Sequence, residues 1–184
     1  WCDTMGLLVW QDMPSGSNKG AEGKRNFRRE LHNVIESLVN HPSIIMWVPF
    51  NEGWGQHDTP EIVSLVKKWD ATRLVDEASG WHDRKSGDVR DVHSYPGPAM
   101  PPLEERRAAV LGEFGGLGLP LKGHTWTSEK NWGYRKFKTR GELTEAYVRL
   151  LGKVRPLIAQ GLCAAVYTQI SDVETEVNGL MTYD

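Results

Sequence analysis

Two glutamates occupy matching contexts in this 184-residue chain. Glu52 ends the run SIIMWVPFNE (43–52), and Glu113 follows the apolar stretch of AAVLGEFGG (108–116). Phe50 and Trp54 flank the first; Phe114 and a Gly-Gly pair follow the second. A carboxylate set among apolar residues is costly unless it is paired or used. A single glutamate of this kind reads as a helix cap or a surface ion pair, but two in equivalent places suggest joint work. Two carboxyls ~5–5.5 Å apart are the equipment of retaining glycoside hydrolysis: one attacks the anomeric carbon while the other protonates the leaving oxygen. At that separation an ionised partner holds a proton on its neighbour by about 3 kcal/mol at an effective dielectric of about 20. Once the nucleophile is consumed in an ester, the repulsion disappears and the donor becomes the base that activates water.

Such a pair has to be positioned by the strands that carry it. Six short apolar runs end in polar or acidic residues: GLLVWQD (6–12), SIIMWVPFNE (43–52), TRLVDEAS (72–79), VRDVHSYP (89–96), AAVLGEFGG (108–116) and CAAVYTQISD (163–172). Near-continuous apolar runs of this length suit strands buried on both faces of a parallel sheet. Helical periodicity fills three of the gaps. Residues 26–41 place Phe27, Leu31, Ile35, Leu38 and Val39 on one face. Residues 58–70 predict a helix capped by Thr59, with Pro60 at its first position and Ile62, Leu65, Val66 and Trp69 inward. Residues 142–161 present Leu143, Tyr147, Leu150, Leu151, Val154 and Ile158, with Pro156 expected to kink or split the helix. Strands alternating with helices, each strand ending in polar chemistry, predict an α/β fold of the (β/α)₈ TIM-barrel type. A whole barrel takes ~250 residues, so the expectation is one partial barrel domain over 1–184, truncated at its N-terminus with about six of eight strands present. A doubly wound sheet is the competing fold, but GAEGK (20–24) and GGLGLP (115–120) fit no phosphate-loop template.

Composition narrows the partners. The formal net charge is −2, and the basic stretches GKRNFRR (23–29) and YRKFKTR (134–140) do not extend into a stripe, which argues against nucleic acid. No apolar run approaches the ~20 residues of a membrane span. Cys2 and Cys163 are too isolated for a disulfide framework or zinc spacing, and buried free thiols are expected. Eight tryptophans suit a core, and also suit flat ligands such as sugar rings.

In order along the chain, WCDTMGLLVWQDMP (1–14), NHPSIIMWVPFNE (40–52), AVLGEFGG (109–116) and YTQISDVETEVNG (167–179) together resemble glycoside hydrolase family 2, which includes β-galactosidases, β-glucuronidases and β-mannosidases. The resemblance covers essentially the whole chain. It implies a retaining β-glycosidase acting on terminal sugars, with Glu52 as acid/base, Glu113 as nucleophile and Asn51 on the sugar 2-hydroxyl. No cofactor and no metal are expected; the resemblance implies a carbohydrate substrate as partner and preceding β-sandwich domains, through which a homo-oligomer could form. An isolated excerpt of such a barrel is expected to have little activity. A non-catalytic carbohydrate-binding barrel and a related β-glycanase are the competing readings, and the sugar and cellular location stay open. Among strand-end residues, Asp12 is a candidate sugar ligand or structural acid, His93 and Tyr95 are candidate pocket contacts, and Tyr167 and Gln169 are candidate hydrogen-bond partners of the nucleophile or the sugar, each balanced against ordinary packing. Trp54, Trp81, Trp126 and Trp132 lie in loops after strands, as stacking walls or loop anchors. Residues 115–140 read as a rim or lid, and Asp172, Glu174 and Glu176 as solvated loop charges, with alternative carboxylates or a cation site as the competing readings.

Overall fold

A computed structural model describes residues 1–184. All six apolar runs contain strands, in the expected order. The chain forms α1 (Cys2–Met5), β1 (Val9–Asp12), α2 (Gly20–Leu38), β2 (Ile44–Val48), α3 (Thr59–Trp69) and β3 (Leu74–Val75). It continues with β4 (Val89–Ser94), β5 (Ala108–Gly115), β6 (Leu117–Gly118), β7 (Arg135–Lys136), α4 (Arg140–Ala159) and β8 (Leu162–Thr168). Two compact units result, one of residues 1–91 with 103–108 and one of residues 92–102 with 109–184.

In the first unit β1, β2 and β3 form a parallel sheet in that order. Parallel neighbours require a crossover, and α2 and α3 supply it. Phe27, Leu31 and Ile35 of α2 and Ile62, Val63 and Val66 of α3 pack on Ile44, Trp47 and Phe50. β2 is nearly all buried, as a strand covered on both faces must be. Leu65 and Trp69, expected inward, sit at the margin of this core, and Val63 takes the deeper place.

In the second unit the sheet order is β4-β5-β8, with β5 and β8 parallel. Ala146 and Leu150 of α4 are buried with Leu111, Phe114, Leu117 and Leu162. A separate two-residue ladder joins β6 to β7, so the segment expected as a rim is tied down at both ends.

Several local expectations are corrected. α2 starts at Gly20 rather than residue 26: its first turn is solvated and carries no apolar period, and Gly23 lets the chain pass close over Asn18. In α3 the cap position is Asp58, with φ 45°; Thr59 is already helical and its hydroxyl accepts from Gln56 Nε2 at 2.9 Å. α4 runs through Pro156 without splitting, because the proline lies near the end, where Gln160 N–H closes the last turn on the Pro156 and Leu157 carbonyls. Leu151 and Ile158, expected on its apolar side, are 37% and 59% exposed, while Ala146 and Leu157 pack inward. Cys163 is exposed rather than buried.

Candidate active site

β2 ends at Val48, so Asn51 and Glu52 lie in the turn beyond it rather than on the strand itself. What fixes that turn is Phe50, 2% exposed and stacked on Phe27 of α2 with ring centroids 4.9 Å apart. His57 meets both rings edge-on. From this anchor the backbone continues alongside Ser79: Ser79 N–H donates to the Phe50 carbonyl and Glu52 N–H to the Ser79 carbonyl, both at 2.9 Å. The Glu52 carbonyl accepts from Trp81 Nε1 at 3.2 Å. Glu52 itself has φ 52°, a left-handed conformation that costs a side-chain-bearing residue about 1–2 kcal/mol. The next residue must be glycine, since a Cβ on Gly53 would come within 2.3 Å of the His82 ring. A strained residue held at both its amide and its carbonyl is an over-determined position, with the Glu52 carboxyl half-buried. Beside it, Asn51 Oδ1 is buried and accepts no hydrogen bond from the protein, an arrangement that costs about 1–3 kcal/mol unless a ligand donates to it. Asp12 is exposed at the end of β1, and Trp54 is 64% exposed beyond the turn.

In the second unit Glu113 lies inside β5, not at its end, and its side chain is 28% exposed. Two residues of β4 and its exit face it. The fully buried His93 places Nδ1 3.5 Å from Glu113 Oε2, and the Tyr95 hydroxyl donates to the same oxygen. Burial and this bond to Glu113 both push the Tyr95 phenol well above its ordinary range, so it remains a donor at any working pH. Tyr95 is backed by Tyr134, stacked at 3.6 Å and nearly parallel, and Trp132 meets Tyr134 edge-on. Trp132 is held in turn: its N–H donates to the Thr175 carbonyl, and its carbonyl accepts from Val177 N–H. The Gly115-Gly116 pair makes room for these rings. A Cβ on Gly115 would lie 2.5 Å from Tyr167, one on Gly116 2.4 Å from Tyr134, and both glycines have positive φ.

The other candidates have the following surroundings. Tyr167 sits edge-on to Phe114 and to Tyr147, and the Leu117 backbone binds its hydroxyl. Gln169 donates to Asn178 Oδ1 at 3.0 Å. Trp126 is 59% exposed and meets Tyr183. Asp172, expected as a solvated charge, is instead 6% exposed; its Oδ1 accepts from Gly179 N–H, and burial pushes its carboxyl up. Glu176, half-buried, is pushed up by burial as well. Sequence reasoning missed Tyr134, whose only signal is its place in an aromatic loop opening a basic stretch. Ser79 and Asp91 were also missed, having no signal outside the fold.

With this geometry in hand, the relatives can be compared. The chain is 34% identical over 97 residues to a β-galactosidase of Thermoanaerobacter pseudethanolicus, covering 51% of this chain and 13% of that protein. It is 40% identical over 53 residues to a putative β-glucuronidase of Formosa agariphila, covering 28% of this chain and 6% of that protein. Among solved structures, a Bacteroides uniformis β-glucuronidase superposes with a TM-score of 0.67 over 97% of this chain and 26% of that one, at 19% identity. At that identity the likeness speaks for the fold alone, which is of TIM-barrel type. The model of "Glycosyl hydrolases family 2, TIM barrel domain" matches residues 1–105, more than half the chain, and it is to this family that the chain belongs.

Proposed function

We propose that these residues carry the catalytic carboxylates of a retaining β-glycosidase that removes terminal β-linked sugars. Glu113 is the nucleophile and Glu52 the acid/base. The observation that carries the reading is the pairing of Glu113 with Tyr95. A hydrogen bond donated to a carboxylate favours its charged form, and a phenol that does not give up its proton donates permanently. An oxygen that accepts a hydrogen bond from a rigidly aimed phenol is suited to attack, not to proton donation. Glu52 has a different setting, a half-buried carboxyl on a strained and doubly anchored backbone, which suits a group that must first give and then take a proton at one fixed point. Asn51 Oδ1 supports the same reading. It is a buried acceptor that the protein leaves unpaired, as required for a sugar hydroxyl whose bond strengthens when the ring gains oxocarbenium character. Covalent catalysis requires the two carboxyls to meet at about 5–5.5 Å across the substrate.

Names of relatives supply the substrate class. They include β-galactosidase, a putative β-glucuronidase and β-mannosidase B, all enzymes of β-linked sugars. The test is to incubate the full-length protein with 2-deoxy-2-fluoro β-glycosyl fluorides of galactose, glucuronic acid and mannose and to map the labelled peptide. The expected result is an ester on Glu113 with one of the three. An ester on Glu52 reverses the two roles, and no label with no turnover of aryl β-glycosides refutes the enzyme.

A further inference from the structure

Below the turn that carries Glu52 lie two acids that the reaction does not use. Asp76 follows β3 and is 1% exposed; Asp91 belongs to β4 and is 9% exposed. Their carboxyls hydrogen-bond each other. Two ionised carboxylates have no proton to donate, so the contact requires the pair to hold one. Burial, then the charge of Asp91, and more weakly that of Asp12 at the end of β1, push the Asp76 carboxyl far up, which assigns the proton to Asp76. Asp91 Oδ2 accepts the Ser79 hydroxyl at 2.7 Å and the Gly80 N–H at 3.2 Å.

Ser79 is the residue to which the Glu52 turn is bound. Its carbonyl accepts the Glu52 N–H, its own N–H donates to Phe50, and it forms a parallel bridge with Asn51. The hydroxyl that points to Asp91 is the side chain of that same residue. Charge-assisted bonds of this kind are about twice as strong as neutral ones. We propose that Asp91, backed by Asp76, is a positioning residue for Glu52 and Asn51, acting through the Ser79-Gly80 turn. The proposal deepens the glycosidase reading and rests on it.

Leaving-group dependence tests it, because an aryl group that departs unaided does not need the acid. In the full-length protein, kcat/KM, which reports the first chemical step, is measured for alkyl, phenyl and 2,4-dinitrophenyl β-glycosides of the preferred sugar. Glu52→Gln serves as the reference, and thermal midpoints are recorded alongside. Loss of general-acid help is worth about 100-fold or more. Asp91→Ala is expected to lower kcat/KM about 100-fold on alkyl glycosides and under about threefold on the dinitrophenyl glycoside; Ser79→Ala follows the same pattern at about tenfold. Asp76→Asn, whose amide N–H replaces the carboxylic O–H, is expected to restore what Asp76→Ala loses. If Asp91→Ala and Ser79→Ala lose activity equally on all leaving groups while Glu52→Gln is selective, the positioning role falls and the glycosidase reading survives. If Glu52→Gln is itself unselective, the acid/base assignment fails first and takes this proposal with it.

Discussion

In the proposed mechanism Glu113 is the nucleophile, and the groups that surround it are aromatic. Tyr95 both donates to Oε2 and is clamped by Tyr134, so ring stacking sets the direction of the hydrogen bond to that oxygen. Removing that hydroxyl leaves the ring and its stack in place. Tyr95→Phe is therefore expected to keep the fold while lowering kcat by about 10- to 100-fold, since a hydrogen bond to a charged group is worth about 1.5–3 kcal/mol. Steady-state kinetics with circular dichroism of the same sample measures both. An unchanged kcat would show that the bond orients nothing that matters to the reaction.

Elements matter here for the turns at their ends. The end of β5 depends on two glycines, and at Gly116, with φ 62°, any Cβ meets Tyr134 at 2.4 Å. Gly116→Ala should therefore cost about 1–3 kcal/mol and also lower activity, by displacing Tyr134 from Tyr95. Tyr134→Phe, which keeps the stack, should leave activity near wild type. α4 provides a simpler case. Thr139 and Glu142 form a reciprocal capping box at its start, the Thr139 hydroxyl accepting from Glu142 N–H at 3.2 Å. Thr139→Ala is expected to destabilise by about 1 kcal/mol in urea titrations without touching kcat, because nothing in that cap leads to the site. The stretch 76–80 has no obvious chemistry of its own, yet the backbone of Phe50 and Glu52 is bound to it through Ser79.

Stability of the whole molecule should depend on pH through buried acids of opposite sign. At Asp70 burial opposes charge, but bonds from Thr72, Arg73 and Trp47 outweigh it and hold the carboxyl below the ordinary range. Its contribution is complete above the unfolded value near pH ~4 and is lost as pH falls through the lower folded value. Asp70→Asn leaves Arg73 without its charged partner and is expected to cost about 3 kcal/mol at pH 7, with the deficit shrinking below pH ~4. Asp76 works the other way, because the folded state keeps a proton that the unfolded chain releases. That contribution is full below pH ~4 and is lost as pH rises toward the raised folded value, so Asp76→Asn should gain on wild type as pH rises above ~4. Urea unfolding at pH 3, 4, 5 and 7 distinguishes the two signs. Parallel slopes for both variants would contradict them.

Periodicity by itself determined where this chain makes strands and helices, because an apolar run or a helical face is written over a few consecutive residues and buried whatever its partners. The same runs singled out Glu52 and Glu113, since carboxylates closing apolar stretches are visible without coordinates, while Asn51 was named through the family resemblance. The depth of Glu113 inside β5, the continuity of α4 through Pro156 and the early start of α2 were not legible, because strand ends and helix ends are set by hydrogen bonds to other segments. Only the tertiary structure joined Tyr134 to Tyr95 and Asp91 to Ser79. Those pairs are separated in sequence by 39 and 12 residues, and what brings them together is strand register and a few positive φ angles, neither of which leaves a pattern in neighbouring residues.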